Sequence, residues 1–107
     1  PSQYFHLLRR QIKSKFRKPL VMMTPKSLLR HPAALSTLDE LAGGSFQTVL
    51  DDPNGAKNPK RLLFCSGTIF YELAARRKDL EISDVGIVRI EQFYPFPQDK
   101  LNTVVNK

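Results

Sequence analysis

The chain has 107 residues, 41% hydrophobic and 25% charged, the balance of one small globular domain, which excludes a disordered or fibrous chain. Its net charge of +7 is unevenly placed: residues 1–38 hold eight Lys and Arg and no Asp or Glu, and the rest holds nine basic against ten acidic residues. No apolar stretch nears the roughly 18–20 residues of a membrane span and no signal-like segment opens the chain, so a soluble protein is expected.

In chain order, Ser2 can cap a helix over 2–14 whose apolar face is Phe5, Leu8 and Ile12, supported by Tyr4 and Leu7, with Arg9, Arg10 and Lys13 elsewhere. After a basic connector, Pro19-Leu20-Val21-Met22-Met23 is continuously apolar, which predicts a strand covered on both faces, as in a parallel sheet between helices. Pro25-Lys26-Ser27-Leu28-Leu29-Arg30-His31-Pro32 reads as a loop with one helical turn, bounded by its prolines and anchored by burial of Leu28 and Leu29. Thr37 and Glu40 form a capping box that opens a helix ending at Gly43-Gly44. Phe46, Thr48 and Leu50 alternate with Gln47 and Val49 as a less buried strand.

Residues 51–60, rich in Pro, Asn and Gly, are the clearest loop. A strand over 62–65, a Ser66-Gly67 turn, a helix over 68–79 with Ile69, Phe70, Leu73 and Ala74 on one face, and a strand over 85–90 make a βαβ unit. A further helix follows Pro97, marked by Leu101, Val104 and Val105. The expected class is α/β, a mostly parallel sheet covered by helices.

Chemistry candidates are few. Ser66-Gly67-Thr68 at a strand-to-helix junction could favour an anion but reads as a tight turn. The single cysteine, Cys65, lies in an apolar run; neither His6 nor His31 is placed to serve it, so a packed core thiol in a reducing compartment is expected. Metal-ligand spacing is lacking, and Asp51-Asp52 reads as a solvated turn. Glu91, just past the last strand, is expected to anchor the loop there. No catalytic, cofactor-binding or metal residue is assigned. Lys26, Ser27, Arg30 and His31 form a possible anion or interdomain contact, since side chains three or four apart on a helical turn can face one anion. The basic patch itself has three readings: a nucleic-acid surface, disfavoured because no aromatics interleave the cations, a site for phosphorylated ligands or an acidic partner, or a solvated face.

Four strings carry a family resemblance: QYFHLLRRQ (3–11), RKPLVMMTPKSLLRHP (17–32), LLFCSG (62–67) and VGIVRIEQFYPFP (85–97). Together they resemble the C-terminal part of the thiamin-diphosphate-dependent decarboxylating subunit of 2-oxoglutarate dehydrogenase; 2-oxoadipate relatives share the pattern, with the oxoglutarate branch favoured. The resemblance implies a homodimeric citric acid cycle enzyme that binds thiamin diphosphate through Mg²⁺ between two α/β domains. It decarboxylates 2-oxoglutarate and passes the succinyl group to a lipoyl succinyltransferase that works with dihydrolipoyl dehydrogenase. The compartment would be the bacterial cytoplasm or the mitochondrial matrix.

The resemblance also implies that the cofactor and catalytic residues lie upstream, so that none falls on this chain. Residues 1–24 would be the closing helix and strand of the pyrimidine-binding domain, 25–60 an interdomain connector, and 61–107 the first part of a Rossmann-like, three-layer, transketolase-like C-terminal domain. Both ends look cut from something longer, and the domain is expected to be partial. Three functions are thus set against one another: a structural interface segment of this enzyme, inactive alone; a regulatory anion- or nucleotide-binding module at Lys26, Ser27, Arg30 and His31; and a basic nucleic-acid-binding domain.

Overall fold

The computed structural model describes residues 1–55 and 58–106. In order these form helix α1 (Ser2–Lys13), a 3₁₀ turn (Lys26–Arg30), helix α2 (Leu38–Gly43), strands β1 (Val49–Leu50) and β2 (Arg61–Cys65), helix α3 (Ile69–Asp79), strand β3 (Val85–Ile90) and helix α4 (Gln98–Val105). Two compact units result, Pro1–Gln47 and Thr48–Lys107.

In the first unit α1 forms where its periodicity places it, but the expected core face is reversed. Tyr4, Phe5, Leu8 and Ile12 are exposed, and His6 is the buried residue of the helix. Ser2 does not cap the helix through its side chain; its N–H donates to Ser36 Oγ. The inward face is polar because its partners are a six-residue helix and the backbone that follows. His6 Nε2 donates to Glu40 O at 2.7 Å, Gln3 brackets the Gln47 backbone with two 2.8 Å hydrogen bonds, and Arg10 stacks 4.1 Å over Phe46. Gly44 permits the close approach, since a Cβ there would press on the Glu40 carbonyl and lie 2.8 Å from His6 Nε2.

The Thr37/Glu40 capping box forms as expected: Thr37 Oγ1 accepts from Glu40 N at 3.2 Å, and Thr37 N donates to Glu40 Oε2 at 2.7 Å. The strand expected over 19–23 does not. Val21 is 82% and Met23 92% exposed, and the segment joins none of the described strand ladders; apolar composition makes a strand only where a neighbour completes the ladder.

The second unit is a three-stranded sheet in the order β1-β3-β2. β2 and β3 are parallel, from Arg61 opposite Val85 to Cys65 opposite Arg89, with α3 as their crossover. β1 runs antiparallel to β3, so the α/β class holds while the sheet is mixed rather than mostly parallel. Alternation along β3 sends Val88 and Ile90 to one face, against Val49 and the Leu101 and Val104 side chains of α4. It sends Ile87 and Arg89 to the other, where Arg89 meets Phe70 of α3. Ile87 and Val88, 1% and 0% exposed, each contribute on the order of 2 kcal/mol of burial. Val105, the third residue that marks this helix in the sequence, is exposed.

β1 is two residues long, and its buried side chain is Val49 rather than the expected Phe46, Thr48 and Leu50 set. Asp52 is the reason. In the β1–β3 register it stands opposite Ile87, and there its carboxylate takes the Ile87 N–H at 2.8 Å in place of a backbone carbonyl. The same carboxylate pairs with both terminal nitrogens of Arg77 on α3, and Arg77 also donates to Val85 O at 2.9 Å. Asp52 is therefore a buried tie between loop, helix and central strand, not the solvated turn expected of it.

Burial works against ionisation of Asp52, but the hydrogen bonds from Arg77, Ile87 N and Asn54 N, with the Arg77 charge, outweigh it and hold the carboxyl below its ordinary value. A carboxylate with a depressed folded pKa stabilises fully above its unfolded pKa and loses that stabilisation as pH falls through the folded value. Asp52→Asn should therefore cost on the order of 3 kcal/mol in urea unfolding at pH 7. The gap to wild type should begin to narrow below about pH 4 and close only as pH falls through the lower folded value, and a pH-independent gap would contradict the ionised pairing.

Candidate functional site

Two places were expected to matter, the proline-bounded segment and the carboxyl ends of the parallel strands. Between Pro25 and His31 the chain makes one 3₁₀ turn, closed by Leu28 N to Pro25 O at 3.3 Å and His31 N to Leu28 O at 3.2 Å. In 3₁₀ geometry residues three apart eclipse. Ser27 and Arg30 thus share an edge, while Lys26 shares its edge with Leu29. Lys26, Ser27 and Arg30 are exposed and His31 is half-buried, with its Nδ1 accepting from Ala33 N at 3.2 Å. Leu28 is half-buried, but Leu29 is 81% exposed, so one leucine anchors the segment rather than two.

At the strand ends, Cys65 and Arg89 are register partners. The Arg89 guanidinium lies 4.3 Å over the Phe70 ring and 6.0 Å from that of Tyr71, with Nε 4.0 Å from Glu91 Oε1. Gly67 turns the chain between β2 and α3 at φ 67°, the left-handed region that disfavours any residue with a Cβ. The Glu91 backbone N–H donates to Thr48 O at 2.9 Å, a bond that does not depend on its side chain. Arg89 is stacked on two rings beside a carboxylate, so this corner is a packed electrostatic cluster rather than a free anion cradle. Sequence reasoning passed over Arg89; the available signal was a lone arginine inside an otherwise apolar strand, with Phe and Tyr opening the preceding helix.

Cys65 is half-buried rather than enclosed in the core. Burial pushes its thiol up, the Arg89 guanidinium pulls it down, and the Glu91 carboxylate pushes it further up. Among the described residues the donor set does not suit Mg²⁺, which takes several oxygens in near-octahedral order: no three His, Cys, Asp or Glu side chains come together there, and the Asp52 carboxylate is committed to Arg77. No helix of the described residues is long and apolar enough to cross a membrane. Iodoacetamide alkylation of Cys65 at pH 8 should run about two- to five-fold faster in Glu91→Gln and slower by a similar factor in Arg89→Gln. Equal rates in all three proteins would show that neither charge reaches the thiol.

A family model described as 2-oxoglutarate dehydrogenase C-terminal matches residues 35–107. The chain is 50% identical over its whole length to the probable 2-oxoadipate dehydrogenase complex component E1 homolog of Dictyostelium discoideum. It is also 50% identical, over 92% of the chain, to the 2-oxoglutarate dehydrogenase E1 component of Haemophilus influenzae, and 50% identical, over its whole length, to the 2-oxoadipate dehydrogenase complex component E1 of Mus musculus. The chain spans 11–12% of the length of these curated relatives. It belongs, on the match of most of its length, to the 2-oxoglutarate dehydrogenase C-terminal family.

Proposed function

We propose that the chain is a structural segment of a thiamin-diphosphate-dependent 2-oxo acid dehydrogenase E1 subunit, helping to form domain and dimer interfaces and taking no direct part in the chemistry. The observation that carries this reading is the family match joined to an apolar surface with no covering in the described residues: the α1 stripe, Val21 and Met23. Large apolar patches of this kind belong to surfaces that are buried in a larger assembly. Within it, residues 1–24 would close one α/β domain, in which 19–23 would gain a strand neighbour, 25–60 would connect, and 61–107 would begin a transketolase-like, Rossmann-like domain.

The parent would act on 2-oxoglutarate, with 2-oxoadipate the alternative supplied by relatives of equal identity. Its partners would be its homodimer mate, the lipoyl succinyltransferase and dihydrolipoyl dehydrogenase, in a bacterial cytoplasm or mitochondrial matrix. Thiamin diphosphate supplies the carbanion chemistry of such enzymes, but the donor set here does not suit its Mg²⁺, so its ligands would come from elsewhere in the parent. A second reading, an anion or nucleotide contact at Lys26, Ser27, Arg30 and His31, is favoured by the shared edge of Ser27 and Arg30.

Calorimetric titration of the chain with Mg²⁺ and thiamin diphosphate should show no saturable heat; micromolar binding would contradict the structural role. Parallel titration with nucleotides into wild type and Arg30→Ala decides the second reading, which fails if both bind alike or neither binds.

A further inference from the structure

We propose that the apolar stripe of α1 is covered by an acidic-rimmed surface elsewhere in the parent subunit's own polypeptide, and that the cations along the edge of the stripe and its groove, Arg9, Lys13, Arg17 and Lys18, are matched across that contact. This rests on the chain being a segment of a larger subunit.

Tyr4, Phe5, Leu8 and Ile12 are 50%, 45%, 39% and 75% exposed. At three- and four-residue spacing they form a single stripe along α1. The stripe runs on into an open groove of about 430 Å³ lined by Ile12, Phe16 and Pro19 and edged by Arg17 and Lys18. Arg9 follows the flank of the stripe next to Phe5, about 40° beyond it at 100° per residue, where it also donates to Gly44 O at 3.4 Å; Lys13 lies about as far round again, in the last turn of the helix. Arg10 is turned to the opposite side, onto Phe46.

Charge selects the occupant. Residues 1–38 contain eight cations and no acid, so a second copy packed on this face would set like charges against one another. A nucleic acid would engage the cations through its phosphates and leave the stripe wet. An apolar surface with a carboxylate rim satisfies both features at once, with a dry centre and charged edges. The length of the relatives, of which this chain spans 11–12%, provides ample polypeptide in the same subunit to supply it.

The test uses the full-length parent subunit. Carbodiimide joins a lysine amine to a carboxylate in direct contact, and digestion with mass spectrometry identifies the pair. Lys13, Lys15 or Lys18 should be joined to Asp or Glu outside the 107-residue segment, and in a mixture of unlabelled and ¹⁵N-labelled subunits the joined peptides should carry one isotope only. Mixed-isotope pairs would place the contact between subunits and overturn the proposal. So would protection of these lysines by anionic phosphatidylserine vesicles without any cross-link, which would identify a membrane surface.

Substitutions separate this proposal from the reading beneath it. Leu8→Asp and Ile12→Asp should lower the parent's Tm, and Arg9→Gln/Lys13→Gln should lower it at low salt but not at high salt, where exposed charge pairs are screened. An unchanged Tm in the aspartate variants would remove the buried-interface reading and this proposal together. A lowered Tm there, with Arg9→Gln/Lys13→Gln raising stability and no lysine cross-linked, would overturn the acidic rim alone.

Discussion

The sheet of the second unit depends on the carboxylate of Asp52. It lies where the two-residue β1 would otherwise have continued its ladder, takes the N–H of Ile87 from the most buried strand, and grips Arg77 on the helix that crosses between the parallel strands. A backbone carbonyl could accept the same N–H but could not also neutralise Arg77. A buried pair of this kind returns little net energy over an apolar substitute, yet breaking it strands a charge. Its use here is geometric, fixing where β1 ends and how α3 sits against the edge of β3.

The first unit is organised on another principle. Its interior contacts are polar and directed: the His6 ring to a helix-end carbonyl, a glutamine amide bracketing a peptide, an arginine on a phenyl ring. His6 Nδ1 is buried without a donor among the described residues, a small penalty accepted at a tightly closed junction. Such contacts fix orientation but bury little apolar area. The unit therefore presents its hydrophobic residues outward, where a lone small domain would have turned them in.

The two units differ in how far local pattern predicted them. In the second, the strand over 85–90, the crossover helix and the last helix stand where periodicity put them, because β2, β3 and α3 lie close in sequence and supply one another's partners. Phe70 and Leu73 turn inward as expected, while Ile69 is exposed. In the first, the capping box, the 3₁₀ turn and α1 were legible because their causes lie within a few residues. The strand over 19–23 was not, since its apolar run is necessary for a buried strand and does not create one without a neighbour. The site followed the same division: Lys26, Ser27, Arg30 and His31 stood out as a string, but the helical pitch of that turn decides which of them can face one ligand.

Composition and short-range pattern alone were enough for the α/β class, the order of the elements that form, the capped start of α2 and the imbalance of charge, and the quoted strings were enough for the family. These depend on contacts a few residues long or on identities that survive without coordinates. Tertiary structure alone showed that β1 is antiparallel, that Asp52 is a tie rather than a turn, that Arg89 lies stacked beside Cys65, and that α1 faces inward with His6 rather than with Phe5, Leu8 and Ile12. Each of these is a choice of partner distant in sequence, and hydrophobic periodicity reports that a face will be covered without specifying what covers it.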